Sequence, residues 1–210
     1  HVPPVPEGRP PEAALDELMF LYIANGITSI RGMLGSPYQT DLARELFREE
    51  RLGPAFYVAA PSLNGGTATT PEVTERRMRE AAAAGYDLMK IHPGIPLDSW
   101  DRMVAAAREV DLPFGGHVPA EVGIVHALET GQTTVDHIDG YLEASISDEL
   151  LAEAEASGMQ IGVGTMLRNL DERKMRDLAR LTREAGAYVV PTHYLWEHLY
   201  LARDAHAFLA

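Results

Sequence analysis

One pattern, repeated along the chain, constrains the fold more than any other feature. A stretch with apolar residues at helical spacing closes on glycine, and a short run of β-forming residues follows at once. Ala24-Asn25-Gly26 precedes residues 27–30, Ala84-Gly85 precedes 86–91 and Thr130-Gly131 precedes 132–135. Ser157-Gly158 then precedes 159–161, and Ala185-Gly186 precedes 187–190. Glycine just past a helix supplies the left-handed turn at no Cβ cost, so the next strand can start there. Leu112-Pro113 before Phe114-Gly115-Gly116 does the same with proline as the helix stopper. Helices are expected over 11–24, 38–50, 70–84, 97–110, 120–130, 147–157 and 171–185, from apolar periodicity and from Thr70-Pro71 as an N-cap with proline at the first helical position. Strands alternating with such helices point to βαβ units around a parallel sheet. Six or seven of them favour a (β/α)8, TIM-like barrel, which typically takes ~250 residues. The 210 residues here fall short of that, so the expectation is an incomplete barrel forming a single domain over residues 1–210.

Composition narrows the partners. With 46% hydrophobic residues, the chain can bury a core and is not a disordered segment. No apolar run approaches the roughly 18 residues of a membrane span. The net charge of −13, from 18 basic and 31 acidic side chains, disfavours phosphate backbones and so excludes nucleic acid as an expected partner. The absence of cysteine removes disulfides, a thiol nucleophile and thiolate metal sites. The sequence begins His1-Val2-Pro3-Pro4 without an initiator methionine, and a longer parent protein is expected.

In a β/α barrel the chemistry sits at the C-terminal ends of the strands. Those positions carry Lys90 and His92 after 87–89, His117 after 114–116, His137 after 133–136 and His193 after 189–192. Imidazoles and a lysine gathered at one mouth are what a metal site needs, because neutral imidazole is a good ligand for Zn2+ and related ions. Lysine is rare inside a barrel, so Lys90 reads as functional. His92, two residues beyond Lys90 on the same side, reads as a substrate contact, as do His193 and Tyr141. Glu143 lies in the same presumptive loop as Tyr141. His126, His198 and His206 fall within helical stretches and read as packing or surface residues.

At four segments the chain resembles the metal-dependent amidohydrolase superfamily, in its imidazolonepropionase-like and prolidase-like branch. They are residues 21–31 (LYIANGITSIR), 87–94 (DLMKIHPG), 116–119 (GHVP) and 136–140 (DHIDG). The resemblance implies that Lys90 is carboxylated and bridges two metal ions, by expectation Zn2+, with His117 and His137 as further ligands. It also places His1 as a metal ligand, the second histidine of a first-strand His-x-His pair. The family's metal-binding aspartate on the last strand has no counterpart: Asp204 lies in a helical stretch. The last strand and the start of the first are therefore expected to be missing, with 159–164 as an insertion. A rival count makes 159–164 strand seven and 188–192 strand eight.

The chemistry follows from the residues. Burial strips an ammonium of solvation and favours the free amine, which can add CO2 to give a carbamate with two metal-binding oxygens. Two ions about 3.5–4 Å apart then share a bridging hydroxide and polarise a carbonyl. The expectation is hydrolysis of an amide-type C–N bond in a small substrate, a cyclic amide or a dipeptide-like molecule. Two alternatives stay open: a Schiff-base aldolase using the Lys90 amine, and a barrel that only binds ligand. Open parallel edges are rarely left bare, so pairing with a second copy, a homo-oligomer, is a further expectation.

Overall fold

A computed structural model describes residues 10–48 and 51–194, with Gly8 and Glu197. They fall into two compact units that divide between Phe114 and Gly115. The first runs α1 (Pro11–Ala24), β1 (Ser29–Gly32), α2 (Pro37–Phe47), β2 (Ala55–Leu63), α3 (Pro71–Ala83), β3 (Leu88–Ile91) and α4 (Leu97–Val110). Its strands pair in chain order, all parallel, with Ser29 opposite Ala55 and Ala59 opposite Leu88. Leu15 and Met19 of α1, Leu42 and Leu46 of α2, and Phe56 and Val58 of β2 form one buried cluster. α3 packs on α4. All four residues of β3 are buried, as expected of a strand covered on both faces.

The second unit holds the end of β4 (Phe114–Gly116), then α5 (Ile124–Thr130), β5 (Thr134–Asp136), α6 (Tyr141–Ala144), α7 (Asp148–Ser157), α8 (Val163–Arg168), α9 (Glu172–Glu184) and β6 (Tyr188–Val190). Here too the strands run parallel in chain order, with Gly115 opposite Thr134 and Val135 opposite Val189. The close approach of β4 to β5 requires glycine, since a Cβ on Gly115 would collide with Thr134 Oγ1. Caps set the helix starts: Thr70 accepts from Val73 N–H at 3.3 Å, and Asp171 accepts from Arg173 and Lys174 N–H at 2.7 and 3.3 Å.

These elements agree with the expected alternation of helices and parallel strands, with several differences. Tyr141 and Glu143, expected in a loop, lie in the short helix α6. Residues 159–162 form no strand, and α8 follows them, so the count that makes 159–164 a seventh strand is overturned. β2, the longest strand at nine residues, follows Gly53-Pro54 instead of a helix-closing glycine and lies outside the repeated pattern. α5 starts at Ile124 instead of residue 120, because Gly123 at φ 72° breaks any earlier helix. β1 begins two residues late, at Ser29.

Trp100 in α4 is 0% exposed and sets its ring edge-on to Phe114, centroids 5.5 Å apart. Trp100→Ala is expected to cost about 3–5 kcal/mol in urea unfolding. A loss below about 1 kcal/mol contradicts this packing.

Candidate functional site

β4, β5 and β6 are parallel neighbours, so the residues just past their C-terminal ends lie along one edge of the second unit. Those residues are His117, His137 and the pair Thr192 and His193. The structure brings His117 and His137 together, with ring centroids 4.7 Å apart and planes tilted by 41°. Each ring is tied at Nδ1: His117 to Asp139 Oδ2 and His137 to Thr192 Oγ1, both at 2.7 Å.

The partners suit rings protonated at Nδ1. An ionised carboxylate only accepts, so Nδ1 of His117 carries the proton. Thr192 Oγ1 reaches both Pro191 O and His137 Nδ1 at 2.7 Å; with its proton turned to the carbonyl, it accepts from His137 Nδ1–H. An uncharged ring protonated at Nδ1 has its lone pair on Nε2.

The backbone is bent to make this arrangement. Asp139 N–H closes a turn onto Asp136 O at 3.2 Å. Its two central residues, His137 and Ile138, have φ of 61° and 64°. That is the φ signature of a type I′ turn, which favours glycine, asparagine and aspartate. Thr192, the partner of His137, sits at φ 49°. Left-handed backbone at β-branched residues is costly, and such strain gathers at functional sites. The turn ends the strand and carries Asp139 back to His117.

The other expected site residues are placed as follows. Lys90 lies in β3 of the first unit and is 3% exposed. His92 follows the end of β3, half-buried, with its N–H donating to Leu63 O at 2.8 Å. Tyr141 opens α6, and its phenol oxygen hydrogen-bonds Thr182 Oγ1 at 2.6 Å. Burial holds that phenol above its ordinary value, against a smaller opposing pull from the Thr182 contact. The His193 side chain is 84% exposed and lies 4.0 Å from Glu197, and it is Thr192 beside it that reaches His137. His1 lies outside the described residues. Asp139 and Thr192 carried no role in the sequence reading. Asp139 stands inside the DHIDG segment, and only the turn geometry reveals that it faces back across to His117. Among the described residues no group of three or more His, Asp or Glu is placed to hold a metal ion.

No family model matches the sequence, and no curated protein matches it. Solved structures do match by fold. One is a Xaa-Pro dipeptidase with bound methionine, at 15% identity and TM-score 0.60, over 97% of this chain and 52% of that one. Another is bottromycin amidohydrolase, at 17% identity and TM-score 0.55, over 84% and 54%. A putative prolidase from Bifidobacterium longum matches at 17% identity and TM-score 0.54, over 90% and 60%. The chain spans about half the length of these proteins. The fold is that of amidohydrolases and prolidases, in agreement with the resemblance read from the sequence.

If the turn is strained as its dihedrals indicate, Ile138→Gly relieves more than the added unfolded-state freedom costs. The expected result is a gain of about 0.5–1 kcal/mol in denaturant unfolding, Ile138 being 46% exposed. A loss of about 1 kcal/mol contradicts it.

Proposed function

We propose that the chain is part of a metal-dependent hydrolase of an amide-type C–N bond in a small cyclic amide or dipeptide-like substrate, with His117 and His137 as ligands of a divalent cation. The observation that supports this most is the pair of imidazoles held at Nδ1, by a carboxylate and a hydroxyl, at the ends of neighbouring parallel strands. Metal-binding histidines are commonly held this way, with the second nitrogen donating to an outer partner that fixes ring and tautomer. The donor set fits a borderline ion such as Zn2+ through Nε2 of both rings. Two imidazoles do not complete a coordination shell. Carboxylated Lys90 is proposed as a further ligand, bridging two ions, on the strength of the sequence resemblance and of its burial. The likeness in fold to an amidohydrolase, a prolidase and a Xaa-Pro dipeptidase supports the class of bond.

When bound, a divalent ion supplies Lewis acidity, polarising a carbonyl and making a water more acidic. The chain's own residues do the rest. Asp139 holds the Nδ1 proton of His117 and orients its ring, and Thr192 does the same for His137. His92, Tyr141 and His193 are the proposed substrate contacts.

The test combines metal content with rescue. His117→Ala and His137→Ala are each expected to lose bound Zn2+ in the purified protein, and unchanged Zn2+ binding in both contradicts the assignment. Lys90→Ala is expected to lose metal and hydrolysis together, with partial recovery in acetate or propionate, which offer two oxygens in the vacated space. Recovery with a small primary amine instead, and indifference of the unaltered protein to chelators, identifies the Schiff-base alternative.

A further inference from the structure

We infer that Gln132 is a positioning residue for the two imidazoles, setting the separation of the strand ends from which they project. The inference rests on the proposed role of His117 and His137. Gln132 directly precedes β5 and is 0% exposed. Its Nε2 reaches three backbone carbonyls: Thr134 at 2.9 Å, Gly116 at 3.2 Å and His117 at 3.3 Å. Gly116 closes β4, His117 is the first residue beyond it, and Thr134 lies in the strand that delivers His137. One amide group thus ties together the two strand ends that carry the rings, and it bonds to the peptide of His117 itself.

The other end of the same amide shows how specific the arrangement is. Gln132 Oε1 is buried with no hydrogen-bond partner among the described residues. A buried acceptor without a partner is unfavourable, so the amide is a poor filler for a packed interior. The opposite orientation is worse, since it would set Oε1 against three carbonyl oxygens. The NH2 end is therefore the useful end. It supplies protons to carbonyls at the point where the β4–β5 ladder runs out, with no side chain on Gly115 or Gly116 to brace them.

His117 is then fixed twice, through its ring by Asp139 and through its peptide by Gln132. Removing the amide frees the peptide and loosens the ring's hold on Asp139. The two lone pairs at Nε2 would no longer be held at one spacing.

Gln132→Met keeps length and volume and removes the donor, so it isolates this contact. Two readouts apply. Zn2+ affinity by calorimetry is expected to fall about 10-fold or more, as for other outer partners of metal-binding histidines. In the metal-free protein, long-range 1H–15N spectra of the His117 ring are expected to show a mixture of tautomers in place of a single Nδ1–H form. Ser99→Ala, which removes a different buried polar group without a hydrogen-bond partner among the described residues, the α4 hydroxyl, is the control and is expected to change neither. Wild-type affinity and wild-type ring signals in Gln132→Met overturn the inference, whatever happens to its melting temperature. Should that variant fail to fold, the Gln132 side-chain amide signals of the unaltered protein decide: they are expected to move on adding Zn2+, and unmoved signals overturn the inference. If the unaltered protein binds no Zn2+, the metal assignment fails, and the ring spectra still decide the role of Gln132.

Discussion

The site depends on one turn. Asp136 to Asp139 reverses at two residues of positive φ, one of them β-branched, and everything at the edge of the second unit follows from that reversal. An ordinary turn would splay the chain away from β4 and leave Asp139 out of reach of His117. The bent turn instead returns the carboxylate to Nδ1 at 2.7 Å, where a charge-assisted bond helps offset the backbone strain. Thr192 makes the same trade at the end of β6, accepting a left-handed backbone while its hydroxyl meets His137. Three strained residues at one edge, two of them in contact through a hydrogen bond, are hard to account for by stability alone.

Burial of Lys90 raises a parallel problem in the first unit. A strand with every residue buried has little room for a long cationic side chain, and desolvating an ammonium is expensive. Chains seldom retain such a residue without a use for it. The carbamate proposed for Lys90 would be such a use.

Much of this was legible in the residues. The helix–glycine–strand rhythm located β3, β5 and β6 to within two residues, because glycine past a helix end is a local, steric requirement. Strand-end histidines at 117 and 137 followed from the same rhythm. β2 was not legible, since a proline turn introduces it instead of a helix end, and residues 159–161 misled for the opposite reason: a helix does end on Gly158, but no strand partner awaits the chain beyond it. Asp139, Thr192 and Gln132 were hidden because their roles depend on contacts spanning 15 to 55 residues of sequence, which no periodicity encodes. His193 drew attention by residue type, whereas the neighbouring threonine makes the contact.

The central claim is that His117 and His137 present Nε2 to a cation while their Nδ1 atoms stay engaged. Anomalous diffraction at the zinc edge, from crystals of the protein grown with Zn2+, tests it most directly. The account predicts an ion bonded to Nε2 of both rings, with Nδ1 of His117 still on Asp139 and Nδ1 of His137 still on Thr192. An ion bonded at either Nδ1, or seated away from both rings, would contradict it.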